Sequence, residues 1–324
     1  MYRAVEQIRR LRGGAQSHLM RCSDGNYYVV KFQNNPQHRR VLVNELLGTR
    51  LASRLGLPTA PVEVIEVGAE LIRLTPELCV ELPRSRTPCA AGLQFGSRYP
   101  GNPRHMTLHD FLPDEKLRQV ENLHDFAGML VFDKWTCNTN GRQTVFFEEP
   151  PRKTGGLSIG AEAQPMGVAP GGFSTEALTS SGVVPGIRAR SADAWKEAAR
   201  VATREEGEIA CRVYRTWMID QGFCFNAGEW NFPDAPLRGL YARNRVYEGV
   251  TGMHSFAPWL ERLEKRITEK VLAELAEEIP PAWYDDDYDA VLRVLEQLHR
   301  RKKRVEELLL SAKNSNRMPF GNWR

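Results

Sequence analysis

Chemistry in this chain would rest on a few polar residues set in apolar or glycine-rich surroundings. Gly13, Gly14, Ala15 and Gln16 stand between Arg12 and a β-rich segment. Two glycines there let the backbone approach a phosphate with its N–H groups exposed, although a plain turn reads the same way. Lys31 sits in "YYVVKF", where alternation turns it inward, and Glu45 sits in the apolar "VLVNELL". An ammonium or a carboxylate taken out of water needs a partner of opposite charge, so the two are expected to pair with each other or with phosphate oxygens. The bland alternative is an edge strand with Lys31 in solvent and Glu45 on a polar stripe. Asp220 ends the apolar "YRTWMID" and is followed by Gln221-Gly222. Such a turn can hold a carboxylate toward a hard cation such as Mg2+, and it is also an ordinary turn signal.

The stretch "VFDKWTCNTNGRQ", Val131 to Gln143, admits two registers. In a D-x-x-x-x-N register Asp133 is the proton acceptor and Asn138 a metal ligand. In an N-x-D-x-x-x-x-N register Asn138 leads, the base position falls on Asn140, and Val145 stands where a second metal asparagine belongs. An amide cannot take a proton from a hydroxyl, so the second register leaves the loop without its base. Arg142 is then available to neutralise developing charge. The second register is favoured, because Asp133 falls inside the apolar helix repeat.

These residues need elements to position them. "HLMRC", "SDGN" and "YYVVKF" predict a hairpin, and "RRVLVNELLGTRLASRLGL" a helix stopped by Gly56 and Pro58. "APVEVIEV", "AELIRL" and "GLQFGSRY" read as further strands. A helix is expected through "VENLHDFAGMLVFDKW", ending near Trp135 or Thr136, and a strand at "CRVYRTWMID". Two long helices follow, "FAPWLERLEKRITEKVLAELAEEI" and "YDAVLRVLEQLHRRKKRVEELLLSA". Residues 150–190 hold 8 Gly and 5 Pro in 41 positions with Phe173 as their only aromatic. This segment buries too little apolar surface to offset its ordering entropy and reads as an inserted flexible loop, with a short helix expected at "SADAWKEAARVAT".

The 324 residues, 42% hydrophobic, suffice for a substantial core. No apolar run is long enough to span a membrane and the first residues lack a signal-peptide pattern, so a cytoplasmic protein is expected. Six cysteines without a CxxC pair argue against a zinc knuckle or disulfide scaffold, and a net charge of +4 is too slight to imply nucleic-acid binding. His105 and His109 lack the glutamate of a metalloprotease motif, "YDDDYD" lacks the glycine and distal glutamate of a calcium loop, and "HRRKKR" reads as a solvated helix face.

In their order and spacing, "GGAQ", "VVKF", "VNELL", "FDKWTCNTNGRQ" and "IDQG", with the closing "IPPAWYDDDYDAVLRVLEQLHRRKKR", resemble the HipA-like kinases from about Arg10 to Leu310. The resemblance implies an α+β, bilobal protein-kinase-like fold: a small, mainly antiparallel β lobe with one long helix over residues 1–97, and a larger helical lobe over 98–324 containing the insertion at 150–190. It implies ATP and Mg2+ as cofactors, adenine against the backbone near Gly96 to Tyr99, and phosphoryl transfer to a Ser or Thr of a protein, often in a toxin or stress-response setting with a regulatory partner. Lys31 would hold phosphates, Glu45 orient it, and Asp220 with Asn138 bind the metal. The chain departs from the family at Asn140-Gly141-Arg142, where Asp-Arg-His or Asp-x-His is usual. A nucleotide-binding pseudokinase acting as an interaction module, and a small-molecule kinase, are the alternatives.

Replacing residues 150–190 by a short linker is expected to leave the melting temperature nearly unchanged. A fall of more than about 5 °C, roughly 1 kcal/mol or more, would mean that the segment packs.

Overall fold

The computed structural model describes residues 1–149 and 213–324, and the expected loop at 150–190 and helix at "SADAWKEAARVAT" lie outside them. The described fold is mixed α/β. Its first part is a closed barrel in the order β1-β2-β3-β7-β4. The strands are β1 (Tyr2–Arg10), β2 (His18–Cys22), β3 (Tyr27–Lys31), β4 (Val62–Val67) and β7 (Gly92–Arg98). The barrel is antiparallel except where β1 meets β4 in parallel, Tyr2 opposite Ile65. Met20, Tyr28, Val30, Ile65 and Val67 fill its interior. The closing strand β1 was not among the expected ones: only Ala4 in it is buried, and the rest, Val5 and Ile8 included, is exposed or half-buried, so no apolar alternation marks it.

Helix α1 (Val41–Arg54) packs on β4 and β7 on one side and on α6 (Glu269–Glu277) on the other. Every residue from Val41 to Thr49 is buried, which is why its apolar pattern runs nearly all round. Gly56, at φ +75°, ends it: Gly56 N–H reaches the Ser53 carbonyl at 2.9 Å and Leu57 N–H that of Ala52 at 3.0 Å. The next segment corrects an expectation, because "AELIRL" forms the short helix α2 (Ala69–Leu74). A separate hairpin follows, β5 (Cys79–Leu82) with β6 (Ser85–Pro88).

Past β7 come the short β8 (Leu108–His109) and α3 (Asp114–Leu117), then α4 (Asp125–Trp135), buried from Phe126 onward. Thr136 caps the end of α4, as expected, with its hydroxyl on the Phe132 carbonyl at 2.9 Å. β9 (Gln143–Glu149), a strand the sequence reading did not include, pairs in antiparallel register with β10 (Val213–Ile219), Gln143 opposite Ile219. This pairing carries the end of the Asn138–Arg142 loop to the start of the Asp220 turn.

The two expected terminal helices are each interrupted. α5 (Ala257–Arg266) and α6 are separated at Ile267, and the Thr268 hydroxyl caps α6 by accepting from Val271 N–H. α7 (Tyr288–Arg301) and α8 (Val305–Lys313) are separated by a 3₁₀ turn. No described helix is long and apolar enough to cross a membrane.

Gly128 on α4 lies under the Trp259 indole, and a Cβ there would come within 2.2 Å of its Nε1. Gly128→Ala is therefore expected to lower stability by about 1–3 kcal/mol in urea denaturation, the usual range for overpacking a filled core.

Candidate functional site

Lys31, Glu45 and Asp220 meet. The Lys31 ammonium, with its side chain 9% exposed, donates to Glu45 Oε1 and, at 2.7 Å, to Asp220 Oδ1. The inward alternation of β3 and the burial of α1 bring the first two together, and the end of β10 delivers the third from 189 positions away. Burial opposes the charge on Lys31, but the adjacent carboxylates outweigh it and raise its pKa. Burial dominates at Glu45, whose pKa is raised despite Lys31. At Asp220 burial also pushes upward, but Lys31 prevails and the carboxyl sits below its ordinary range. One ammonium thus faces two carboxyl groups, of which Asp220 is the one whose ionised form is favoured.

The Asp220 turn is strained and tightly held. Asp220 has φ +62°, a left-handed backbone disfavoured for a residue with a side chain. Glu45 accepts from the next two backbone N–H groups, Oε2 from Gln221 at 3.1 Å and Oε1 from Gly222 at 2.9 Å. One helix carboxylate thus orients the lysine and braces the turn.

The Gly13–Gln16 segment joins β1 to β2 as a closed turn, with Gly13 at φ +119° and Gln16 N–H on the Gly13 carbonyl at 3.1 Å. Ala15 O accepts from Asn35 Nδ2 at 3.0 Å, and Gly14 lies against the Gln37 side chain. The Gln16 amide is committed elsewhere: its oxygen accepts from Arg10 and from Glu81 N–H, and its nitrogen donates to Glu81 O, each at 2.7 Å.

Asp133 and Arg142 form a second buried pair. Asp133, 1% exposed, receives Arg142 Nε on Oδ2 at 2.9 Å and Arg142 Nη2 on Oδ1. Asn138 Nδ2 also donates to Oδ1, at 2.9 Å, so both carboxylate oxygens are engaged. Burial opposes the Arg142 charge, but Asp133 outweighs it and raises the guanidinium pKa further. Arg142 Nη1 donates to Ile219 O and Gln221 Oε1, both at 2.9 Å, so this side chain grips both neighbours of Asp220. Asn138 Oδ1 accepts from Asn140 N–H at 3.1 Å. Asn140 is half-exposed at the loop tip, with its side-chain oxygen accepting from Gly141 N–H at 3.0 Å. Val145 is buried in β9, opposite Trp217.

Asn44, His38 and Gln221 were not assigned roles from the sequence. Asn44 is fully buried in α1 beside Glu45, and the cost that singles out a lone acid in an apolar helix applies to a lone amide as well. His38 Nε2 donates to Gly222 O at 2.9 Å, and burial lowers its pKa. No local pattern marks His38 or Gln221, whose partners lie in distant segments.

Asp133→Asn would leave the buried Arg142 cation without its counter-charge. A loss of about 3–5 kcal/mol in denaturant-measured stability is expected, the usual cost of breaking such a pair from one side.

No curated protein matches this sequence. The crystal structure of the Golgi casein kinase matches with a TM-score of 0.42 at 9% identity, covering 97% of this chain and 73% of that one. The same kinase with Mn/ADP bound matches with a TM-score of 0.40, also at 9% identity and with coverage of 97% and 73%. Residues 4–146, a span that holds Lys31, Glu45, Asp133 and Arg142, match the family model described as HipA-like kinase, and this match supports the HipA-like kinase family for the chain.

Proposed function

We propose that this protein is a bilobal phosphotransferase that uses ATP and Mg2+ to phosphorylate a Ser or Thr hydroxyl of a protein, its lobes being residues 1–97 and 98–324. The observation that carries the reading is the meeting of Lys31, Glu45 and Asp220 from three separate elements. A strand lysine held by a helix glutamate orients ATP phosphates in kinases, and a carboxylate at a D-x-G turn binds their metal. The match to HipA-like kinases supports the same chemistry. A cytoplasmic setting and an unidentified regulatory partner belong to this reading.

The residues present suit a divalent cation and a polyphosphate. Asp220 is a hard oxygen ligand whose ionised form Lys31 favours, and Lys31 supplies the positive charge that phosphate oxygens need. Magnesium, when bound, neutralises charge on the β- and γ-phosphates. Lys31 would hold phosphate oxygens while Glu45 keeps it oriented, and the N–H groups of Gly13 to Ala15 would face the phosphates, that of Gln16 being taken by the Gly13 carbonyl. Asn138 would assist Asp220 through its side-chain oxygen. In the transfer, the acceptor oxygen bonds to the γ-phosphorus, the bridging oxygen leaves with ADP, and the hydroxyl proton passes to water or to an oxygen of the transferred phosphoryl group, since Asn140 cannot accept it. Arg142 is best read as a brace for the Asp220 turn, because four hydrogen bonds occupy its guanidinium. Asp133 is best read as the counter-charge that keeps Arg142 buried.

One observation favours a second reading, a nucleotide-binding pseudokinase. The base position holds an amide at Asn140, and both oxygens of the nearby Asp133 carboxylate are engaged.

Asp220→Asn should abolish the magnesium-dependent part of nucleotide affinity in calorimetry while the protein stays folded, and an unchanged magnesium dependence would remove Asp220 from the site. Transfer of γ-phosphate to protein, as against a soluble phospho-product, identifies the acceptor class. Asn140→Asp should raise turnover by roughly ten-fold or more, given that a general base contributes about 10²–10⁴. If parent and Asn140→Asp both bind Mg-ATP without any γ-phosphate loss, the pseudokinase reading replaces the kinase.

A further inference from the structure

The segment after Asp220 holds an unusual backbone. Phe225, Asn226, Ala227 and Trp230 have φ of 59°, 56°, 57° and 53°, in addition to Asp220 at 62°. Ala227 combines its positive φ with ψ −122°, outside the regions open to residues with a Cβ. Such a run persists only where the surroundings over-determine it, and strained backbone tends to cluster at functional sites.

Residues 38–45 supply those surroundings. Asn44 Nδ2 lies 2.9 Å from each of three carbonyls, those of Gly222, Cys224 and Ala227. Its Oδ1 accepts from Trp230 Nε1 at 2.8 Å. His38 adds a second donor to Gly222 O, and Arg40 donates to Gly228 O at 2.9 Å while its guanidinium stacks on Trp230. Glu45 takes the N–H groups of Gln221 and Gly222. Two adjacent side chains therefore divide one loop by chemistry: the carboxylate receives its N–H groups and the amide gives to its carbonyls. A carboxylate at position 44 would set oxygen against three carbonyl oxygens, although it has nearly the same shape.

We infer that Asn44 is a positioning residue of the metal-binding turn, its amide holding the Gly222–Trp230 loop in the one conformation that leaves the Asp220 carboxylate on Lys31. This rests on the reading of Asp220 as a magnesium ligand. The hydrogen bonds of the Asn44 side chain go to the Gly222–Trp230 loop and not to Lys31 or Asp220. It acts by keeping the backbone after Asp220 from relaxing out of the left-handed region, and the effect of losing it falls on the magnesium-dependent part of binding.

The test is calorimetric titration of the full chain with ADP, once with Mg2+ and once with EDTA, in the parent, Asn44→Asp, Trp230→Phe and Asp220→Asn. Asn44→Asp should weaken Mg2+-ADP binding by about ten-fold, the scale of one strong hydrogen bond, and leave metal-free ADP affinity within about two-fold. Trp230→Phe keeps the ring against Arg40 and removes only the donor to Asn44 Oδ1. It should reduce the magnesium-dependent gain in the same direction by about three-fold, and it carries the test if Asn44→Asp does not unfold cooperatively. An unchanged magnesium-dependent gain in the folded variants, or an equal loss with and without the metal, overturns the inference and leaves the reading of Asp220 intact. A parent without magnesium-dependent gain, or Asp220→Asn retaining it, overturns that reading and the inference with it.

Discussion

An ammonium held between two carboxylates at the end of a strand is the constraint from which the rest of the structure follows. Each of the three charges would be costly to bury alone, and together they are tolerable only if their backbones are brought to hydrogen-bond distance and kept there. Lys31 comes from the barrel, Glu45 from α1, and Asp220 from the end of β10. Barrel, helix and second sheet must therefore assemble around one point. The apolar residues of α1 that pack against β4 and β7 serve the same end, since they seat Glu45 over Lys31.

The second buried pair extends this constraint to the other side of the Asp220 turn. Asp133 lets Arg142 stay charged in the interior, and Arg142 in turn grips Ile219 and Gln221. Glu45 holds the same turn from the α1 side. A left-handed aspartate, which the backbone alone would not choose, is thereby trapped between two ionic anchors and an amide. Stability and site geometry rest here on the same bonds, so a substitution in the anchors acts on both.

This arrangement also shows how roles separate among residues that look alike in sequence. Asp133 and Asp220 are both aspartates set against apolar segments, one within a helix and one just past a strand. One has both oxygens engaged by Arg142 and Asn138, and the other receives one hydrogen bond from an ammonium that Glu45 also binds. Arg142 and Lys31 differ likewise. The planar guanidinium is occupied in a fixed fork, whereas the lysine ammonium remains a point charge able to exchange partners.

Much of the chemistry was legible in the chain because burial cost is local. An acid in an apolar helix and a lysine at an inward strand position need partners whatever the fold, so Lys31 and Glu45 could be paired from their neighbours alone. The helix ending at Trp135 and the stop at Gly56 followed from capping and backbone chemistry in the same way. Strand β1 was hidden, because its role is to close a barrel through backbone hydrogen bonds and it leaves its side chains mostly in solvent. Strand β9 lay in a stretch to which the sequence reading gave no element, and its register with β10 depends on a partner beyond residue 149. The short helix at "AELIRL" shows none of its residues buried, so neither period was enforced by packing. The identities of the charged residues and the need to pair them were determined by the sequence. Which oxygen each donor reaches, that Arg142 faces inward, and that Asn44 binds a loop 178 to 186 positions away were decided only by the tertiary structure, because hydrogen bonds depend on where distant backbones come to lie.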